Sequence, residues 1–123
     1  MRVVLEDIPA SPEVLEAFLE GMVALNTAII RTESLPSVYD VARYKREPRG
    51  RENWLHAALV AKRGTGDCED LAAYRAAELR VFDGEPARVA VVRTGTRTLH
   101  AVVQRADGTH EDVARALGMR GKS

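Results

Sequence analysis

The sequence predicts an α+β protein, and two observations carry that prediction. Apolar residues recur at helical spacing through the first two thirds of the chain, and short alternating β segments separated by turn residues follow. Helices first and a small antiparallel sheet after is the order of an α+β chain. At 123 residues and 46% apolar content, the chain fits one domain spanning 1–123 with one core.

The elements follow in order. Met1 to Leu5 is a short apolar start broken by Glu6 and Asp7, not a secretory h-region. Ser11-Pro12-Glu13 opens a helix: Ser caps, Pro takes the first helical position and Glu suits the positive end. Val14, Leu15, Phe18, Leu19, Met22, Val23, Leu25, Ile29 and Ile30 continue it to about Arg31. Leu35 to Arg51 is punctuated by Pro36, Pro48 and Gly50 and made basic by Arg43, Lys45, Arg46, Arg49 and Arg51. It reads as a long surface loop with at most a short turn of helix. Such a loop is either a solvated connector or a docking surface for a protein partner.

Glu52 to Lys62 carries Trp54, Leu55, Ala58 and Leu59 at helical spacing, which predicts a short helix. Gly64-Thr65-Gly66 ends it in a turn. Asp67 to Arg80 is rich in Ala, Leu, Glu and Arg and predicts the clearest helix. Arg88 to Arg93 and Leu99 to Arg105 predict strands, Asp107-Gly108 a hairpin turn, and Thr109 to Val113 the return strand. From Leu117-Gly118 onward a frayed tail is expected.

Charge narrows the function. The chain has 18 basic and 18 acidic residues, whereas phosphate binding wants a basic excess. No nucleic acid is therefore expected as the main partner. The same balance argues against an anionic membrane surface, and no run of 18 apolar residues exists to span a bilayer. With one cysteine, no intrachain disulfide can form. A reduced, cytoplasmic setting is expected, in which Cys68 is either a small buried apolar residue or a working thiol.

The neighbours of Cys68 bear on that choice. Asp67 can cap the following helix, which puts Cys68 at its first position. There the free N–H groups and the positive helix end favour a thiolate and can hold an oxyanion. Gly64 and Gly66 would let the backbone approach a substrate closely. Against this, Asp67, Glu69 and Asp70 crowd the thiol with negative charge and raise its pKa. A helix end is worth roughly 0.3–1 kcal/mol when exposed, so a cationic partner such as a protonated histidine is needed.

Gly66-Asp67-Cys68-Glu69-Asp70-Leu71-Ala72, followed by Arg75-Ala76-Ala77-Glu78-Leu79-Arg80, resembles the catalytic helix of transglutaminase-like proteins. Gly84-Glu85-Pro86-Ala87-Arg88 resembles that family's turn into its first core strand. Leu99-His100-Ala101-Val102-Val103 is similar to the strand that bears the catalytic histidine. Glu111-Asp112-Val113 with Leu117-Gly118-Met119 is similar to the acidic stretch that supplies a third member. The resemblance covers about 54–119, and the look-alikes are small bacterial and tailed-phage proteins.

The resemblance implies a papain-like/transglutaminase-like core, with the cysteine on a helix N-terminus packed on a small antiparallel sheet. The superfamily includes peptidases, amidases, peptide N-glycanases and transglutaminases, so shared fold does not choose the reaction. Carried over by position, Cys68 is the nucleophile, His100 the base and Asp112 the orienting acid. The Cys68 N–H would supply one oxyanion donor and the side chain of Asn53 or Trp54 a second, with Asp67 in support. A peptide or protein substrate carrying a carboxamide is implied. No cofactor is required, and the calcium used by larger transglutaminases has no visible ligand set. The usual aromatic after His-Ala is Val102 here, and the usual Pro after the acidic residue is Val113. These departures and the acidic neighbours of Cys68 keep a second reading open: an inactive scaffold or interaction module in phage or protein-complex assembly, virion-associated if the chain is of phage origin.

The triad makes a geometric demand. His100 and Asp112 are 12 residues apart. Were Asp107 and Gly108 a two-residue hairpin turn, Val103 would pair with Asp112, and His100 would point to the opposite face. One extra loop residue or a bulge restores the parity. Asp112 then lies opposite Val102 and diagonal to His100, about 7–8 Å away between backbones.

The other candidates have simpler readings. His56 and His110 lack a second cysteine or clustered carboxylates at metal spacing, and zinc needs three or four ligands. Asp107 reads as a turn residue and Trp54 as core or groove wall. Arg75 and Arg80 read as solvated or paired with nearby acids.

Overall fold

The computed structural model describes residues 2–4, 11–46, 53–94 and 99–119, with side chains of 2–4 and 53–54 excepted. Arg49 and Arg51 of the basic segment lie outside the described residues. Helix α1 runs Pro12–Glu33, capped by Ser11, whose Oγ accepts from the Val14 N–H at 3.2 Å. It ends on Ser34 in the left-handed region (φ 53°). Leu19, Met22, Val23, Asn26 and Ile30 form its buried face, the period expected of one stripe on a helix.

The basic segment holds a short helix, α2 (Val38–Val41), and a two-residue strand, β2 (Arg43–Tyr44). It is more than a solvated connector: Val38 is wholly buried, Ala42 nearly so, and β2 pairs in parallel with β4 (Thr65–Gly66). The expected helix over Glu52–Lys62 starts late. Asn53–Leu55 is a strand, β3, which pairs antiparallel with β1 (Arg2–Val4). Cross-strand hydrogen bonds to the chain's start thus override local helical spacing. Helix α3 is Ala57–Arg63, capped by His56, whose Nδ1 accepts from the Leu59 N–H. Asn26 Oδ1 of α1 accepts the Ala57 N–H at 2.8 Å and ties that helix start to the core.

Helix α4 (Cys68–Phe82) is buried around most of its circumference, from Asp70 through Leu79. Ala72, Ala73, Ala76 and Ala77 make this possible, because small side chains let neighbours approach on several sides. It packs against α1 and against the antiparallel sheet β5 (Arg88–Arg93), β6 (Leu99–Gln104), β7 (His110–Glu111). The Val91 N–H of β5 is capped by Glu16 of α1 at 2.7 Å. The return strand is shorter than expected, since Asp112 caps helix α5 (Val113–Ala116). Leu117 and Met119, in the stretch expected to begin a frayed tail, are tied down: the Leu117 carbonyl accepts from the Tyr44 N–H, and the Met119 N–H donates to the Ala114 carbonyl; residues 120–123 lie outside the described residues. Among the described residues, no helix is long and apolar enough to cross a membrane.

Candidate functional site

The start of α4 is fixed by reciprocal capping. Asp70 Oδ2 accepts the Asp67 N–H at 3.0 Å, while the Asp67 side chain accepts from the start of the helix. Asp70 Oδ1 also accepts the Leu55 N–H at 2.9 Å, which joins β3 to the cap. Cys68 is therefore the first helical residue, as the Asp-Cys pattern implies. Its N–H, expected to be an oxyanion donor, is taken: it donates to Asp67 Oδ1 at 2.7 Å. The glycines before it have roles in the fold. Gly64 closes α3 in the left-handed region (φ 76°), and a Cβ at Gly66 would meet the Asp70 Cβ at 3.1 Å.

Strand β6 brings His100 to the same end of α4, with its side chain buried. Its Nε2 lies 2.9 Å from Asp112 Oδ2. The hairpin explains how. Val103 pairs with Glu111 and Gln104 with His110, so the loop beyond the Arg105–Thr109 pair is Ala106-Asp107-Gly108. Three residues give the odd parity that sets Asp112 opposite Val102 and diagonal to His100. Gly108 supplies the left-handed position (φ 89°), and Asp107 Oδ1 accepts from the Thr109 N–H at 2.9 Å.

Asp112 is further held by the Arg115 N–H at 3.1 Å and Arg115 Nε at 3.4 Å. Burial pushes its carboxyl up, but the Arg115 N–H, His100 and the Arg115 guanidinium together hold it below the usual range.

The other ring nitrogen, His100 Nδ1, is buried and has no hydrogen-bond partner among the described residues. Cys68 does not occupy it. The thiol instead lies 3.1 Å from Glu69 Oε2, the carboxylate accepting. Burial, then Glu69 and Asp67, push the thiol well above its ordinary pKa, while the Ala101 N–H acts on the sulfur in the opposite sense. Burial, then Asp67 and Asp70, push the Glu69 carboxyl up to about 8. The donor atoms of Asp67, Cys68 and Glu69 lie within 4.8 Å of one another. The carboxylates expected to crowd the thiol do cluster there, and they serve as helix cap and thiol partner.

Asn53 and Trp54 stand in β3, paired with Val4 and Val3, and their side chains lie outside the described residues. Sequence reasoning missed Tyr44. Its phenol is pushed up to about 12 by burial first and then by the charges of Asp67, Cys68 and Glu69. The Tyr44–Gly66 pairing that brings it there is non-local and leaves no sequence signal. Arg115 did have one, since it stands at the capping distance from Asp112. His56 caps α3 and His110 is exposed on β7. Arg75 and Arg80 pair with acids: Arg75 with Glu78 and Glu111, Arg80 with Glu20. The chain matches no family model, no curated protein and no solved structure.

Proposed function

We propose that this protein is a thiol-dependent hydrolase or acyl-transferase, with a papain-like/transglutaminase-like core, acting on a peptide or carboxamide bond. The observation that carries the reading is the His100 imidazole, bonded to Asp112 through Nε2 and open at a buried Nδ1. It sits on β6, whose Ala101 N–H favours the charged form of the Cys68 sulfur. A histidine with one nitrogen on a carboxylate and the other free is arranged to take a proton.

The raised thiol pKa argues against a standing thiolate, so proton removal accompanies attack. The Cys68 proton passes to His100 Nδ1 as the sulfur bonds to the carbonyl carbon. Asp112 holds the proton of the resting ring on Nε2 and stabilises the imidazolium. Collapse of the tetrahedral adduct expels an amine or ammonia, which takes the proton from His100, and leaves a thioester on Cys68. Water or a second amine then attacks the thioester while His100 takes its proton. The acid or new amide departs, and the proton returns to the sulfur. This chemistry needs no cofactor, and a reducing cytoplasmic or virion-associated setting keeps the single thiol free.

A second reading rests on a specific observation. The thiol is engaged by Glu69 and not by His100. A scaffold or interaction module in phage or complex assembly would keep the fold and leave the sulfur idle.

Alkylation of Cys68 by iodoacetamide across pH 6–10 separates the two. For an enzyme, His100→Ala and His100→Gln slow the reaction at neutral pH by about tenfold or more, and Asp112→Asn slows it part-way. Equal rates in all four proteins, each shown to be folded by circular dichroism, would falsify the catalytic reading and leave the scaffold.

A further inference from the structure

The cations of the chain are not evenly spread around this site. Arg43, Lys45 and Arg46 lie on and just after β2, and Lys62 and Arg63 form the last turn of α3. All five are exposed. Among the described residues, none of them forms an ion pair. Asp40, on the neighbouring helix α2, pairs with none of them either. In contrast, Arg75, Arg80, Arg88, Arg105 and Arg115 all pair with carboxylates. In a chain of zero net charge, a strip of five cations that form no ion pair among the described residues is segregation.

Backbone hydrogen bonds fix where the strip lies. The Arg43 N–H donates to the Gly64 carbonyl at 3.0 Å, directly after Arg63. The Lys45 N–H donates to the Gly66 carbonyl at 2.8 Å, two residues before Cys68. Between them, Tyr44 pairs with Gly66, and its phenol feels the charges of Asp67, Cys68 and Glu69 and that of Arg46. The strip therefore runs up to the thiol from one side.

We propose that this strip is the substrate-docking surface and that the substrate is an acidic peptide segment. The inference rests on the thiol chemistry proposed above and names its substrate class. Charge complementarity selects an anionic partner. The acids around Cys68 add a constraint of register. A carboxylate placed at the sulfur would meet Asp67 and Glu69, so the reacting group is a neutral carboxamide flanked by acidic residues. A peptide fits better than a nucleic acid. The strip holds one aromatic, Tyr44, and a repeating phosphate chain could not avoid the acidic cluster.

Binding of fluorescein-labelled octapeptides, measured by anisotropy on the Cys68→Ser protein, tests this without any turnover. One peptide places a glutamine among glutamates. Its counterparts place it among serines or among lysines, and a single-stranded octanucleotide serves as the competing polyanion. The acidic peptide is expected to bind about tenfold or more tighter than either counterpart at low salt, and to weaken as salt is added. The double variants Arg43→Glu/Lys45→Glu and Lys62→Glu/Arg63→Glu should each remove that preference. Equal binding of the three peptides, tighter binding of the oligonucleotide, or a preference that survives both double variants overturns the proposal. Iodoacetamide alkylation of the same double variants, with Cys68 restored, reports the thiol separately. Its dependence on His100 stands or falls independently of peptide binding.

Discussion

At the scale of single residues, the site is a competition for the proton of Cys68. Glu69 Oε2 holds the thiol at 3.1 Å, while His100 Nδ1 is buried without a partner. Glu69 thus restrains the thiol. Glu69→Gln removes the charge but keeps an acceptor, and the midpoint of the Cys68 alkylation profile should move to lower pH. An unmoved midpoint sinks that role. The same variant has a stability signature. The Glu69 carboxyl rises from 4.5 unfolded to about 8 folded, so the folded chain holds a proton that the unfolded chain has lost. That contribution is complete below about pH 4.5 and is lost as pH climbs towards about 8. Gln does not titrate. The melting temperature of Glu69→Gln minus that of the parent should therefore rise over this window and level off above it. A difference that stays flat with pH rules out the raised carboxyl. The candidate residues Cys68, His100 and Asp112 were legible as a spaced pattern, and the acidic crowding of the thiol was legible from its neighbours. That Glu69 would bond to the sulfur was not, because adjacent helical residues do not ordinarily face each other.

At the scale of elements, the hairpin after β6 decides which face Asp112 takes. Its parity depends on Gly108 at φ 89°, a conformation that costs a residue with a Cβ about 1–2 kcal/mol. Gly108→Ala should lose about that much stability in urea unfolding with an unchanged slope, and Gly108→Asn clearly less, since Asn tolerates the left-handed region. Equal losses would mean that something other than backbone conformation is at stake. Here the sequence carried the signal, because Asp-Gly marks a hairpin turn and only loop length was left to fix. The long elements α1 and α4 and the strands β5 and β6 were legible for a similar reason: each is set by its own periodicity. β1, β2, β3 and β4 were not. Each is two or three residues long and exists only through a partner distant in sequence, as Trp54 does against Val3 and Tyr44 against Gly66. Local spacing at Trp54 and Leu55 pointed to a helix, and a non-local pairing prevailed.

At the scale of the whole molecule, one ionic network joins the segment after α1, the central helix and the hairpin that bears Asp112. Glu78 of α4 is 3% exposed and accepts from the Val38 N–H, from Ser37 Oγ and from Arg75. Burial pushes its carboxyl up, against the Val38 N–H and Arg75, which stabilise the charge. Arg75 passes the connection to Glu111 at 2.9 Å and lies 5.2 Å from the centroid of the Tyr39 ring. Glu111 is also bonded by Tyr39 and by Arg105, which forks onto Glu85 at 2.7 and 2.8 Å. Glu111 immediately precedes Asp112, so the network anchors the acid beside His100. The outer Arg105–Glu85 pair is partly exposed and should add less on its own. The inner part differs, because removing Glu78 strands the buried Val38 N–H and leaves Arg75 with Glu111 as its remaining ion-pair partner. Glu78→Ala should cost about 2–4 kcal/mol in urea unfolding. Arg75→Ala should cost less, since Val38 and Ser37 still satisfy Glu78. If the groups act as a unit, the double variant falls short of the sum of the two by about 0.5 kcal/mol or more. Strict additivity would mean that the contacts are independent. The position of Asp112 would then owe nothing to Glu78, and the hairpin loop with Arg115 would hold the acid against His100.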